Sequence, residues 1–318
     1  MRILVTGGSG FVGGHLLAHL QAQGHELHVA TRREVALPDG VTAVRVGDIG
    51  PDTDWSDALD GIDAVVHLAA RVHVMHDSAA DPLALYRHTN VEGTLRLARQ
   101  AASAGVRRLV YLSSIKVNGE ATTPGRPFTS TDEPTPVDPY GISKYEAEQG
   151  LLKITAETDL EVAIIRPPLI YGPGVRANFL RLMRLLQRQL PLPFGRVRNR
   201  RSLLAVGNLV DLVTCCLTHP GARNRIFLAA DGESLSTPEL LRRLAAVLGV
   251  RARLLPVPHA LVDGGLRLLG RAALAQRLCG SLEVDIRDTC QRLDWSPPVS
   301  VDTGLRAAAD HYLREGAR

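Results

Sequence analysis

A chain of 318 residues can form one large α/β domain or two lobes around a shared core. Its hydrophobic fraction of 45% is ample for a packed interior and excludes a disordered composition. The net charge is only +4 and aromatic residues make up 4%, so the basic, aromatic-studded surface of a nucleic-acid binder is not expected.

In chain order, an apolar run at residues 2–6 predicts a first strand that starts almost at Met1, with no signal peptide before it. A cytoplasmic protein is therefore expected. The strand leads into Gly7-Gly8-Ser9-Gly10-Phe11-Val12-Gly13, followed by a helical pattern through Leu16, Leu17 and Leu20. Strand, glycine turn and helix in this order form the setting of a dinucleotide fingerprint. Gly7 permits the tight turn, Gly10 the close approach of a pyrophosphate and Gly13 the packing of helix on strand, while the helix N-terminus around Phe11 and Val12 offers free N–H groups.

The second strand, 26–30, ends in Thr31-Arg32-Arg33, where an NAD site usually places a carboxylate for the ribose. Guanidinium groups suit a 2′-phosphate, so NADP(H) is the favoured cofactor and NAD(H) the other candidate. Asp48, with Ile49 beside it, follows the next strand (43–46) as a candidate contact to the adenine or as a plain turn residue. Further strands are expected at 63–68, 108–113 and 161–166, with helical segments such as 94–104 and 140–157 between them. This rhythm predicts a Rossmann-type, doubly wound parallel sheet with ligands at the carboxyl ends of its strands.

Tyr140 and Lys144 are spaced to share one helical face, one turn apart, and a nearby ammonium favours the phenolate. Ser114, at the end of an apolar run, could hold an oxygen that exchanges a proton with Tyr140. Beyond about Gly172 the βα rhythm weakens; 178–189 and 238–248 read as helices and 254–257 as a short strand. The division expected is a dinucleotide-binding domain over 1–171 and a substrate-binding lobe over 172–318, with segments returning to the main sheet. The late apolar stretch 260–278 is interrupted by Asp263, Arg267 and Arg271, which argues against membrane insertion; its regular leucines predict a packed helix. Cys215 and Cys216 fall side by side on an apolar helix and suit buried thiols, and with Cys279 and Cys290 they show neither metal-ligand nor disulfide spacing, so no metal is expected.

With the glycine turn, His67-Leu68-Ala69-Ala70, Asn90-Val91-Glu92-Gly93-Thr94, Ser113-Ser114 and Tyr140-x-x-x-Lys144 in order, the chain resembles the extended short-chain dehydrogenases/reductases, and within them the nucleotide-sugar epimerase/dehydratase/reductase group. Residues 166–174 and 201–211 match that group as well. The resemblance implies Ser114, Tyr140 and Lys144 as the catalytic set. It places Leu68, Ala69 and Ala70 along the cofactor, Pro167 and Leu169 near the nicotinamide, and Asn90 beneath the site supporting Lys144. It implies Asn178 and Arg201 as contacts to a sugar-nucleotide diphosphate, with Lys116 also near the substrate. His73 is read either as part of the sugar pocket or as a surface-loop residue, and the arginines at 196, 198, 200 and 201 as an anion-binding or simply solvated loop. A homodimer is common in the group.

Departures narrow the reaction. The 4,6-dehydratases carry an Asp-Glu pair after the catalytic Ser/Thr, and here Ile115 and Lys116 stand there, which cannot supply paired carboxylate chemistry. The usual Val-Tyr-Gly is Val117-Asn118-Gly119, which is expected to alter a pocket contact. The chain is similar to the quinovosamine- or fucosamine-forming reductases of O-antigen synthesis. The function expected is a C4 ketoreductase acting with NAD(P)H on a UDP-4-keto-6-deoxy-N-acetylhexosamine. The alternatives are a UDP-hexose 4-epimerase with retained NAD, and a non-catalytic dinucleotide-sensing protein.

Overall fold

The computed structural model describes residues 1–72 and 81–316. The first half runs β1 (Arg2–Thr6), α1 (Phe11–Ala22), β2 (Glu26–Thr31), β3 (Val41–Arg45), α2 (Ser56–Leu59), β4 (Ala64–His67), α3 (Pro82–Tyr86), a π-helical turn (Arg87–Gly93), α4 (Thr94–Ser103), β5 (Arg108–Leu112), α5 (Pro139–Glu157), β6 (Glu161–Arg166) and β7 (Leu169–Tyr171). It continues with α6 (Ala177–Gln187), β8 (Arg201–Ala205), α7 (Val206–Thr218), β9 (Arg225–Leu228), β10 (Ser234–Leu235), α8 (Thr237–Val247), α9 (His259–Leu268), α10 (Ala272–Cys279), α11 (Arg287–Leu293) and α12 (Val301–Gly316).

Seven strands form one parallel sheet in the order β3-β2-β1-β4-β5-β6-β9. Their near-continuous apolar character is what a sheet covered on both faces requires. One face is buried under α1 and α7, through Leu16, Leu20, Leu209 and Val213. The other lies under α2, α4 and α5, through Trp55, Leu97, Ala101, Ala147 and Leu151. Strand order reverses between β1 and β4, so the loops after these two strands open a crevice at the switch point. The chain beyond Tyr171 rejoins this sheet through β9, whose Ala163↔Arg225 register extends the β6 edge. A second sheet, β10-β8-β7, packs with α6, α8 and α12 around Phe179, Leu241 and Leu305.

Two local differences from the sequence reading have clear causes. The expected strand at 254–257 is reduced to isolated bridges, Leu192↔Leu254 and Arg196↔Pro258, because Pro256 and Pro258 cannot donate to a ladder. The stretch 260–278 breaks into α9 and α10 at Gly270, which adopts φ +70°. No helix among the described residues is long and apolar enough to cross a membrane.

A buried ion pair ties the sheet to α5. Glu148, fully buried on α5, receives the Arg166 Nε at 2.9 Å and also bonds the guanidinium NH2 and the Ser113 hydroxyl. Arg166 donates its other end to Asn118 Oδ1 at 2.9 Å. Asn118 is thus a buried structural partner, its side chain turned to the ion pair and to Thr129 O, 3.1 Å away. Removing one member of such a pair leaves an uncompensated charge in the interior. Glu148→Ala is predicted to cost about 3–5 kcal/mol in urea unfolding, more than the double replacement of Glu148 and Arg166 by Met.

Candidate active site

The glycine turn closes against backbone. A side chain at Gly13 would sit 2.3 Å from Gly7 O, and Gly7 itself holds φ +72° with Ala69 N 2.9 Å from where its Cβ would be. At Gly10 an added Cβ would meet only Gly7 O, at 3.2 Å, so that flank of the turn is open. The helices around the site differ in how they begin. Asp138 caps α5 by accepting from Gly141 N at 2.6 Å, and Ser236 with Glu239 forms a capping box on α8. α1 has no side-chain cap and no acidic residue in its first turn, so Phe11 and Val12 begin a helix whose positive end is left for an anion. These features fit the pyrophosphate of a dinucleotide.

The walls of the crevice come from the strand ends. Leu68, Ala69 and Ala70 are half-buried after β4, with Ala69 N donating to Thr6 Oγ1 at 3.1 Å. Thr6 Oγ1 is 2.7 Å from His67 Nδ1, and His67 Nε2 is 2.9 Å from Thr94 Oγ1. Because Thr6 accepts the Ala69 amide, its hydroxyl hydrogen is free for Nδ1, which leaves the ring proton on Nε2 for Thr94. Burial, aided by the Lys144 charge, pulls the His67 pKa down to about 3, so the ring is neutral. At the outer edge, Thr31 bonds back to Val44 O at 3.4 Å, and Arg32 lies 3.5 Å from Asp48 with both side chains largely in water. Arg33 is exposed, and Ile49 packs on the core of the α4 face. Leu169 is half-exposed at the start of β7 and Pro167 is buried beyond β6.

Ser114, Tyr140 and Lys144 converge at the ends of β5 and α5. Ser113 N and Ile115 N bond to Ile165 O and Pro167 O, so the segment bearing Ser114 runs in register with β6 and its extension. The Ser114 hydroxyl accepts from Lys116 N at 3.3 Å and is hydrogen-bonded to Tyr140. Lys144 is 1% exposed; its Nζ donates to Leu112 O at 2.9 Å and lies 4.5 Å from the Tyr111 ring centroid and 5.9 Å from that of Tyr140. The electrostatics reverse the expectation from spacing. The Tyr140 pKa is pushed up, first by burial and then by Asp138 and Tyr86, with the Ser114 bond opposing. Lys144 is desolvated in turn: its own pKa falls to about 7, with only Glu148 working to keep it charged.

Other predicted positions also fare differently. Asn90 does not reach Lys144; it clamps Arg71 N (2.8 Å) and Arg71 O (3.1 Å) and donates to Ser143 Oγ at 3.0 Å. Its place on a π-helical turn rotates it toward that loop. Lys116 is engaged by Asp138 and, at 3.5 Å, by Glu120, so its charge secures the α5 cap instead of standing free for substrate. Arg201 is mostly buried, donating to Gly280 O at 3.1 Å and Gln276 O at 3.4 Å. Asn178 is exposed in the first turn of α6. Arg196 and Arg198 are exposed, and Arg200 pairs with Glu283 at 2.8 Å. His73 lies outside the described residues. The sequence motifs contain His67 and Arg166 without assigning them a role, and Asp138 and Glu148 lie outside them; Glu148 stands one turn after Lys144 on the Tyr140 face, at i+4 spacing.

A doubly wound parallel sheet with these groups at its strand ends is the arrangement of an enzyme of the extended short-chain dehydrogenase/reductase class. More narrowly, the family model for NAD dependent epimerases/dehydratases matches residues 3–230, and the chain belongs to that family. It is 44% identical over 317 residues to the UDP-glucose 4-epimerase of Vibrio cholerae, covering 99% of this chain and 97% of that one. The GDP-6-deoxy-D-mannose reductase of Pseudomonas aeruginosa is 28% identical over 319 residues, covering 96% and 95% respectively. Among solved structures, MoeE5 in complex with UDP-glucuronic acid and NAD is similar with a TM-score of 0.78 at 26% identity, over 99% of this chain and 100% of that one.

His67 gives a test of this inner wall. Its folded value of about 3 lies below the ordinary 6.5, so the unfolded chain binds the extra proton between those values. Its contribution to stability is complete above pH 6.5 and declines as pH falls toward 3. His67→Gln, followed by thermal unfolding across that window, is predicted to show a shallower acid slope than the parent.

Proposed function

We propose that the protein reduces the C4 ketone of a UDP-linked 4-keto-6-deoxy-N-acetylhexosamine, with NADPH as the exchangeable reductant. The observation that carries this reading is the end of β2. Thr31 turns its hydroxyl onto Val44 O, and Arg32 and Arg33 follow in water. A neutral, self-satisfied residue there lacks the carboxylate grip on the ribose that favours NAD, and two guanidinium groups suit a 2′-phosphate. A reductase must release its spent cofactor every turnover, whereas an epimerase works with one that stays.

The turn at Gly7, Gly10 and Gly13 with the first amides of α1 would hold the pyrophosphate, and Ala69, Ala70 and Pro167 would flank the cofactor. Bound nicotinamide supplies a hydride to the sugar carbon. The residues of this chain handle the oxygen. Ser114 holds it by a hydrogen bond, and Tyr140 delivers the proton that completes the alcohol. Lys144, when protonated, stabilises the phenolate left behind. A Tyr140 pKa above its ordinary value keeps the phenol protonated before the reaction, as a proton donor requires. Asn178 and Arg201 are proposed on the diphosphate side of the substrate.

A second reading, a UDP-hexose 4-epimerase, is favoured by the 44% identity to a protein of that name. It uses the same three side chains to oxidise C4 and return the hydride to the opposite face. The two are separated by incubating the protein with NADPH and a UDP-4-keto-6-deoxy-N-acetylhexosamine. Stoichiometric loss of nicotinamide absorbance supports the reductase; interconversion of UDP-glucose with UDP-galactose by protein purified with bound NAD, without net redox change, overturns it. Tyr140→Phe is predicted to lower kcat by about 10²–10⁴-fold while leaving cofactor binding in place. Replacing Arg32 and Arg33 by Ala should raise the KM for NADPH about tenfold with little effect on NADH; equal effects would remove these arginines from the phosphate site.

A further inference from the structure

Leu266 of α9 and Leu278 of α10 pack as their spacing predicts, but other leucines of this hairpin do not. Leu261 and Leu268, seven residues apart on one face of α9, are 67% and 90% exposed, and Leu269 in the following turn is 74% exposed. Val262 is the one fully buried residue described for α9, and the cluster beneath the hairpin is small, built on Val197, Val262 and Cys279. A two-helix hairpin that presents its largest aliphatic side chains to water is poorly explained by folding stability alone.

The charge on this hairpin is equally one-sided. Residues 251–279 hold five arginines and one acidic residue, Asp263, a surplus as large as that of the entire chain. Asp263 is bound within the helix by Arg267 at 2.7 Å. Arg267 and Arg271 flank the Leu268-Leu269 pair and are exposed, as are Arg251 and Arg253 at the approach to α9. The neighbouring strip is joined to this surface by the Leu192↔Leu254 and Arg196↔Pro258 bridges, and Leu190 and Leu255 are exposed on these two segments.

We propose that the α9–α10 hairpin is a peripheral docking surface for a bilayer of anionic phospholipid. The leucines at the turn enter the boundary between headgroups and acyl chains while the flanking arginines meet lipid phosphates. The chemistry favours lipid over a protein partner: residues 251–279 hold no Phe, Tyr or Trp of the kind that protein interfaces are enriched in, and their surplus of positive charge complements anionic headgroups. Seating is shallow, since α9 has only ten residues and spans nothing. The proposal is independent of which C4 reaction the protein catalyses.

Sedimentation of the full-length protein with vesicles tests it. The parent should bind phosphatidylglycerol/phosphatidylethanolamine vesicles, bind phosphatidylcholine vesicles weakly, and be released as salt is raised. Replacing Leu268 and Leu269 together by Ser should lower the bound fraction about tenfold on both, with an unchanged melting temperature. Replacing Arg251 and Arg271 by Glu should lower binding to the anionic vesicles alone. Failure of the parent to bind anionic vesicles, or equal binding by the serine variant, overturns the proposal. So does a concentration-dependent dimer that the serine variant dissociates, which would assign the surface to a second copy of the chain.

Discussion

The carboxylate of Glu148 is the point on which the catalytic end of the molecule depends. It sits inside the sheet–helix boundary and gathers Arg166 from the end of β6 and Ser113 from the end of β5. Through Arg166 it also holds Asn118 in the loop that follows Ser114. An isolated carboxylate in such a place would be expelled or neutralised; here every partner is charged or a strong donor, so the group stays and fixes its surroundings. One turn earlier on the same helix stands Lys144, whose ammonium the burial disfavours and Glu148 supports. Helix, two strand ends and Lys144 are thereby set relative to one another by a single buried anion.

The site's electrostatics follow from which charges are left without internal partners. α5 begins with Asp138, and Asp138 is engaged by Lys116, so the helix that carries Tyr140 has its positive end fully used within the protein. The α1 helix begins at a glycine with no cap, and its positive end stays available. The same fold thus spends one helix dipole on structure and reserves the other for a ligand. Lys116, two residues after Ser114, supplies the cation that holds Asp138 and so steadies the helix that bears Tyr140.

Membership of the epimerase/dehydratase family restricts the reaction without choosing its direction. In the proposed mechanism, ketone reduction and epimerisation ask the same of Ser114, Tyr140 and Lys144: hold an oxygen, move one proton, support the charge. They differ in what they ask of the cofactor site, exchange in one case and retention in the other. In the proposed reading that difference falls at the β2 edge, around Thr31 and Arg32, far along the chain from Ser114, Tyr140 and Lys144. The basic α9–α10 hairpin is a separate matter again, since nothing in the arrangement of Ser114, Tyr140 and Lys144 calls for leucines in water.

Much of this was legible before any coordinates. Every strand of the main sheet up to β6 was predicted within two residues of its observed bounds, because a period of alternation or an apolar run is a local property. The glycine turn was legible for the same reason: the φ +72° of Gly7 and the packing of Gly13 are demands made within a few residues. The return of β9 to the sheet was foreseen only in outline, since pairing with β6 joins segments about sixty residues apart. By itself the sequence determined the alternating architecture, the phosphate-binding turn and the order of Ser114, Tyr140 and Lys144. Tertiary structure decided the rest. It turned Asn90 to Arg71 and Ser143, bound Lys116 to Asp138, buried Arg201 against backbone carbonyls, raised the Tyr140 pKa where spacing implied a fall, and left Leu268 in water. Each of these depends on which distant groups share a volume and how much solvent they exclude, and neither quantity is written in the spacing of residues along a chain.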